Sequence, residues 1–276
     1  MTLPRNSLKE IPSADIRRFQ KKIFSFYTKN KRDLPWRKTT DPYKILLSEL
    51  MLQQTQVNRV KHYYERWIEK WPTIETLAVA SLPEVLQIWM GLGYNTRAVN
   101  LHKTAQVIVS EFKGDVLAAM KHYKQLPGIG KYTSQAVQIF STNADLVTVD
   151  TNIRRILISE FHLPTTISDV ELWSLAETCL PKGLSRDWHN ALMDYGALHL
   201  TAQKTGIKPK TQQSRFEGSD RQIRAQILRG LLQKSLTFSE LEKLVHIDRE
   251  RLKPILEKMI KEHIIIQQGT IFQLHQ

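Results

Sequence analysis

The chain has 276 residues, with 40 Lys and Arg against 27 Asp and Glu, a formal charge of +13. Hydrophobic residues make up 41% and charged residues 24%, an ordinary globular composition whose length favours two or three compact units. The one cysteine, Cys179, excludes an internal disulfide framework and any four-thiolate zinc or iron–sulfur site, and so basic a chain points to a polyanionic partner, nucleic acid being the commonest.

Apolar runs fall short of the roughly 20 residues a membrane span needs. The start, Met1-Thr-Leu-Pro-Arg-Asn6, lacks the apolar core of a signal peptide. The expectation is a DNA-facing protein of the cytoplasm, nucleoid-associated in a prokaryote, with no membrane partner.

In chain order, Asp41-Pro42 reads as an N-cap followed by proline in the first helical turn, opening a helix from Pro42 to about Leu52 that carries Ser48 and Glu49. Thr55 is the expected cap of the next helix, where Val57, Val60, Tyr64 and Trp67 recur at helical spacing up to Pro72. Ser81-Leu-Pro-Glu84 and Ser168-Asp-Val-Glu171 have the form of capping boxes. Strand-like alternation is nearly absent before residue 260, so residues 10–205 read as an all-α body.

Residues 206–218 have the polar, basic, Gly- and Pro-bearing composition of a linker. Beyond it, Ile223, Ile227, Leu228, Leu231 and Leu232 share a helical face. A short helix follows from Ser239 to Val245. Asp248 caps a third helix reaching Glu262, with Pro254 inside it expected to delay its start. Two short apolar runs, Ile264-Ile-Ile266 and Ile271-Phe-Gln-Leu274, flank a Gln-Gly turn and read as a β-hairpin. Three helices and a hairpin is the order of a winged helix.

The most specific stretch is Leu126-Pro-Gly-Ile-Gly-Lys-Tyr-Thr133. Two glycines two residues apart allow a tight turn with positive φ. They also leave backbone N–H groups free at a helix start, a ready phosphate site to which Lys131 adds charge. Gly128, Gly130, Lys131 and Thr133 are the expected phosphate contacts. The segment resembles the hairpin of the helix-hairpin-helix DNA glycosylases, which carry a catalytic Asp about twenty residues on. Here Asp150 stands there, in Val147-Thr-Val-Asp150-Thr-Asn152-Ile-Arg-Arg155.

Leu34-Pro-Trp-Arg37, Asp41-Pro-Tyr-Lys44, Leu47-Ser-Glu-Leu-Met-Leu-Gln-Gln-Thr-Gln-Val57 and Trp89-Met-Gly-Leu-Gly-Tyr94 resemble the adenine-specific, MutY-like branch over about residues 20–205. The resemblance implies an all-α, two-lobed glycosylase fold with a small C-terminal winged-helix-like α+β unit. Residues 1–41 and 148–205 would form one helical domain and 42–147 a helical barrel with the hairpin. Residues 206–218 would link these to a winged-helix-like domain over 219–276.

Breaking a purine N-glycosidic bond requires protonating the base and stabilising a cationic sugar, a task for two carboxyl groups. The resemblance gives the first role to Glu49 and the second to Asp150. Apolar neighbours such as Trp36, Tyr43 and Leu47 would keep Glu49 protonated. The base must leave the stack to be reached. Gln54 would fill the gap, Tyr94 would intercalate beside the opposite base, Asn152 would hold Asp150, and Asp194 with Trp36 and Arg37 would line the adenine pocket. Tyr132 stands where strand-nicking relatives have the lysine that forms a Schiff base, which implies a monofunctional glycosylase without efficient lyase action.

The sequence departs from the family in three places. Leu200 occupies the position of the first cluster cysteine, so no iron–sulfur cofactor is expected; the hairpin carbonyls remain candidates for a monovalent cation. His189 and His199 lack a third ligand at metal-binding spacing, so no metal site is expected. Asn95 replaces a second aromatic, and the sequence runs on into the winged-helix segment where relatives have a β-rich domain that reads 8-oxoguanine. The expected substrate is double-stranded DNA with adenine opposite 8-oxoguanine or guanine, bound by a monomer. Removal of thymine or uracil opposite guanine is the alternative, and non-catalytic DNA binding a second.

Overall fold

Short polar side chains start many of the helices. Thr73, Ser81, Ser168 and Thr237 each accept from the backbone N–H three residues on, while that residue's side chain bonds back. The fold is described from a computed structural model over residues 11–207 and 215–275. The amino-terminal ten residues and most of the expected linker, 208–214, lie outside the described residues.

Helices α1 (Ser13–Asn30) and α2 (Pro42–Leu52) come first, then α3 (Val57–Lys70), α4 (Ile74–Ala78), α5 (Leu82–Trp89), α6 (Thr96–Phe112) and α7 (Val116–Lys121). After the hairpin come α8 (Lys131–Thr142), α9 (Thr151–Glu160), α10 (Asp169–Cys179), α11 (Ser185–Leu198) and α12 (Ala202–Thr205). The C-terminal segment holds α13 (Asp220–Leu231), β1 (Leu236–Thr237), α14 (Phe238–Val245), α15 (Arg249–Lys261), β2 (Ile265–Gln268) and β3 (Ile271–Leu274).

The chain forms two compact units. The described residues of the first run to Ile45 and resume from Gly130 to 207. Its core gathers α1, α9, α10 and α11 around Phe19, Ile23, Ile156, Leu157, Leu172, Trp188 and Tyr195. Phe19 meets the Trp188 ring edge-on at 5.5 Å, and Phe26 meets Tyr195 at 5.1 Å. Truncating a core aromatic such as Trp188 to alanine is expected to cost about 3–5 kcal/mol.

The second unit comprises residues 46–129 and the C-terminal segment. Trp67 is fully buried there between Trp71 and Trp89, at 4.8 and 5.5 Å between ring centres. The three strands form an antiparallel sheet in the order β1-β3-β2, with Leu236 opposite Phe272 and Ile265 opposite Leu274. The mainly helical body and the small winged-helix-like α+β segment are those expected.

Several local expectations change. Gln56, not Thr55, caps α3, because the Thr55 hydroxyl accepts from the Arg97 guanidinium instead. Pro254 lies inside α15 without delaying it. Asp248 caps that helix through Arg251 N–H, and buried Leu252, Ile255, Leu256 and Met259 hold both sides of an exposed proline.

The unit boundaries fall at 45/46 and 129/130 rather than at 41/42 and 147/148. Helix α8 goes with the first unit because its C-terminal end is tied to the start of α11. Arg186 donates to Ser141 O at 2.7 Å, and Asn143 bonds both Arg186 N–H and Gly183 O. The winged-helix segment groups with residues 46–129 instead of standing apart, through contacts made by Tyr94 and Thr96.

Candidate active site

The hairpin is built around one glycine that geometry requires. Gly128 has φ +71°, and a Cβ there would lie 2.5–2.9 Å from the side chain of Asn100. Thr104 Oγ1 donates to Pro127 O at 3.0 Å, and Ile129 N–H closes the turn on Leu126 O. Gly130 differs from the expectation of positive φ. It is extended, with φ −97° and ψ 175°, because it is the N-cap of α8. No side chain caps that helix, and a Cβ at Gly130 would meet nothing within 4 Å. A helix N-terminus without a side-chain cap is a ready site for phosphate.

Lys131 is exposed, its ammonium 4.0 Å from the centre of the Trp173 ring. Tyr132 is half-buried. Thr133, in the first turn of α8, is 3% exposed.

Asp150 is the N-cap of α9, where the helix dipole favours a negative charge. Its Oδ1 accepts from Ile153 N–H at 2.7 Å and its Oδ2 from Asn152 Nδ2 at 3.0 Å. Burial raises the Asp150 carboxyl pKa. The bonds from Ile153 and Asn152 and the Arg155 charge oppose that rise without cancelling it. Arg155 Nη2 donates to Asn152 Oδ1 at 2.5 Å and to Gly196 O at 3.2 Å, and its Nε to Leu200 O at 2.6 Å. Gly196 lets α11 come this close: a Cβ there would sit 3.0 Å from Asn152 Cβ and 3.2 Å from Ile156 Cδ1.

The strand-like approach to Asp150 is held from α11. His189 Nε2 accepts from Thr148 N–H at 3.1 Å, and Ser185 Oγ donates to Leu146 O at 2.9 Å. His189 Nδ1 lies 2.7 Å from Ser185 O, so the neutral ring donates there. Burial pushes the His189 pKa down to about 4.

In the second unit, Arg97 organises two loops. Its buried guanidinium donates to the carbonyls of Leu50, Met51 and Gln53 at 2.6–2.9 Å. It also reaches Leu92 O, Gly93 O and the Thr55 hydroxyl at 3.0–3.4 Å. Desolvation lowers its pKa to about 10. The first loop follows the end of α2, which carries half-buried Glu49, and contains exposed Gln54 at φ +56°. The second contains Gly91, Gly93 and Tyr94, all with positive φ. At Gly91 a Cβ would lie 2.1 Å from the Tyr63 hydroxyl, which itself donates to Met90 O. Arg97 thus fixes together the loops bearing Gln54 and Tyr94, its own guanidinium 5.5 Å from the Tyr94 ring centre.

Asp194 and Arg37 take a different place from the one expected. Asp194 is 0% exposed, and Arg37 holds both its oxygens at 2.8 Å. Arg32 adds a bond from Nε at 2.5 Å and one from its backbone N–H at 3.1 Å. Burial alone would raise the Asp194 pKa, but the bonds and charge of Arg37, then those of Arg32, outweigh it and hold the carboxyl low. A carboxylate saturated in this way joins the end of α1 to α11 rather than offering itself to a base. Trp36 and Tyr43 are both buried.

The structure therefore brings Asp150 with Asn152, and Gln54 with Tyr94 through Arg97, while Glu49 and Asp150 belong to different units. Neither Arg97 nor Arg155 was assigned a role from the sequence, although Arg155 precedes the apolar run Ile156-Leu-Ile158, where a side chain must find buried acceptors. A four-thiolate cluster does not fit the residues present: the single cysteine is buried, its thiol pushed up to about 12, and Leu200 packs against the helical core. Among the described residues no group of three or more His, Cys, Asp or Glu side chains is placed to hold a metal, and no helix is long and apolar enough to cross a membrane.

Residues 47–181 match the family described as HhH-GPD superfamily base excision DNA repair protein. The adenine DNA glycosylase of Mycolicibacterium smegmatis is 37% identical over 229 residues, 75% of this chain and 78% of that protein. The rat adenine DNA glycosylase is 39% identical over 204 residues, 69% of this chain but 40% of its own length. Among solved structures, a thermostable thymine-DNA glycosylase aligns with a TM-score of 0.62 at 31% identity, over 70% of this chain and 94% of that one. An endonuclease III–DNA complex shares the fold at the same TM-score and 20% identity, over 72% of this chain and 91% of that one. The chain belongs to the helix-hairpin-helix superfamily of base-excision DNA repair glycosylases, in its adenine-specific, MutY-like branch.

Proposed function

We propose that this protein is a monofunctional DNA glycosylase that flips out and hydrolytically removes adenine paired with 8-oxoguanine or guanine. The observation that carries the reading is the Asp150 carboxylate, held by Ile153 N–H and Asn152 at the start of α9 in a chain 37% identical to an adenine DNA glycosylase. Protonated Glu49 gives its proton to a ring nitrogen of the extruded adenine. The C1′–N9 bond breaks with its electron pair going to the base. The Asp150 carboxylate stabilises the cationic sugar. Water then adds to C1′ and returns a proton to Glu49, leaving free adenine and an abasic site. Phosphates flanking the target are taken by the N–H groups at the start of α8 and by Lys131, Gln54 fills the gap, and Tyr94 enters beside the opposite base.

Tyr132 offers a phenol where a Schiff-base lysine would have to stand, so borohydride should trap no covalent protein–DNA complex. In a prokaryotic cell such an enzyme works in the cytoplasm, at the chromosome. The 31% identity to a thymine-DNA glycosylase supports a second reading, excision of thymine or uracil opposite guanine.

Duplexes carrying a labelled A, T or U opposite 8-oxoguanine, G or C, treated with alkali after incubation, separate the two. Cleavage at A opposite 8-oxoguanine and G is the expected result. Intact adenine duplexes with cleavage at T or U opposite G would establish the second reading instead.

A further inference from the structure

Two arginines hold the Tyr94 ring. Arg97 lies against its ring from within residues 46–129, fixed by its own hydrogen bonds. Arg221, in the first turn of α13, stacks its guanidinium 5.3 Å from the ring centre and donates from Nη1 to the Tyr94 hydroxyl at 2.8 Å. A second link joins the same parts of the molecule two residues on. Glu262, at the end of α15, accepts from Thr96 Oγ1 at 3.0 Å and pairs with Arg224. Glu262 thus links the winged-helix segment to the loop that carries Tyr94 by contacts separate from the Arg221–Tyr94 bond.

We propose that Arg221 is a positioning residue for Tyr94, through which the winged-helix segment sets how strongly the protein discriminates the base opposite the excised adenine. The proposal rests on the reading that Tyr94 enters DNA beside that base. An aromatic wedge selects by stacking only if its ring plane is set before the duplex arrives, because a freely turning ring loses conformational freedom on every encounter. Backbone at φ +48° fixes where the Tyr94 side chain leaves the loop. Arg97 and Arg221 both lie within 5.5 Å of the ring centre, and Arg221 ties down the hydroxyl. A lysine at 221 would keep the charge but lose the planar stacking surface.

The test is a double-mutant cycle on Arg221→Ala and Tyr94→Ala, with single-turnover excision of adenine opposite 8-oxoguanine, G and C. Arg221→Lys and Tyr94→Phe complete the set. Fluorescence of 2-aminopurine beside the opposite base reads the stacking directly, and thermal melting checks that each variant folds. Arg221→Ala should reduce the ratio of rates between opposite bases by about three- to thirtyfold, the size of coupling expected for residues in contact. Tyr94→Phe should reproduce part of the loss, Arg221→Lys should restore little, and Arg221→Ala should add nothing in the Tyr94→Ala background. An Arg221→Ala effect that persists undiminished without Tyr94, or that lysine rescues fully, would make Arg221 a phosphate contact and overturn the proposal. A ratio altered by Tyr94→Ala but not by Arg221→Ala overturns it as well. If Tyr94→Ala leaves the ratio unchanged, the wedge reading of Tyr94 falls, and this proposal with it.

Discussion

Asn152 donates to Asp150 Oδ2 at 3.0 Å, and the same amide group is itself oriented by Arg155 through its oxygen. The carboxylate that faces the sugar in the proposed reaction is thus aimed by an amide rather than by a charge. Asp150→Asn keeps an N-cap acceptor for Ile153 and should fold and bind DNA as the parent does. Excision should fall by roughly 10²–10³-fold, the usual loss when a transition-state electrostatic partner is removed. Single-turnover rates beside duplex affinities check this; an unchanged rate would remove Asp150 from the chemistry.

Asn152→Ala makes a sharper test through pH. The Asn152 bond favours the charged form of Asp150, whose pKa burial already raises. Its removal should raise that pKa further. Activity depends on the carboxylate and is lost as pH falls through its pKa, so the acid limb of the rate profile should move to higher pH in the variant.

Gly196→Ala sets two small effects against each other. Helix propensity favours alanine by about 1 kcal/mol. Against it, the new methyl would meet Asn152 Cβ at 3.0 Å and Ile156 Cδ1 at 3.2 Å. The isoleucine can turn aside, but Asn152 Cβ moves only with α9, and such overpacking costs about 1–3 kcal/mol. Net stability should drop slightly while excision drops more, because the displaced residue is the one that aims Asp150. Denaturant midpoints and excision rates on the same preparations separate the two.

Asp194→Asn should be among the most destabilising single changes. It leaves Arg32 and Arg37 in place without their buried countercharge, which typically costs about 3–5 kcal/mol. A variant that unfolds at the parent's urea midpoint would show that the cluster is not structural.

His189 makes stability depend on pH. Its folded pKa, about 4, lies below the ordinary value of 6.5, so the unfolded chain takes up the proton first as pH falls. The contribution is complete above about pH 6.5 and is lost progressively towards pH 4, to the extent of about 3 kcal/mol. His189→Gln, which does not titrate, should flatten that part of a plot of unfolding free energy against pH.

The features legible in the sequence were those written in consecutive residues. Gly128 and Gly130 announce the hairpin because a turn and a helix start require neighbours in the chain, and Asp41-Pro42, Ser81 and Ser168 announce helix starts for the same reason. Asp150 was reached through the family resemblance of the hairpin, which implies an Asp about twenty residues on. Arg32 and Arg37 could not be read as partners of Asp194, because the Arg32 pair spans 162 residues and either half alone looks like an ordinary surface charge. Arg97 was hidden differently. Its acceptors are backbone carbonyls, which every sequence has and none displays. Gly130 misled because glycine serves a helix N-cap facing open space as readily as a left-handed turn.

The pairing of α1 with α10 and α11 also bears on how the chain acquires its structure during synthesis. Gln20 waits for the carbonyl of Cys179, 159 residues downstream, and Phe19 for the ring of Trp188. Helix α1 leaves the ribosome before α10 and α11, and its face for them stays bare until α11 has been made. Contacts closed over such distances form late and slowly. Helix α1, made ahead of these partners, is thus secured only when they arrive, and during that interval the nascent chain is most exposed to aggregation and to chaperones.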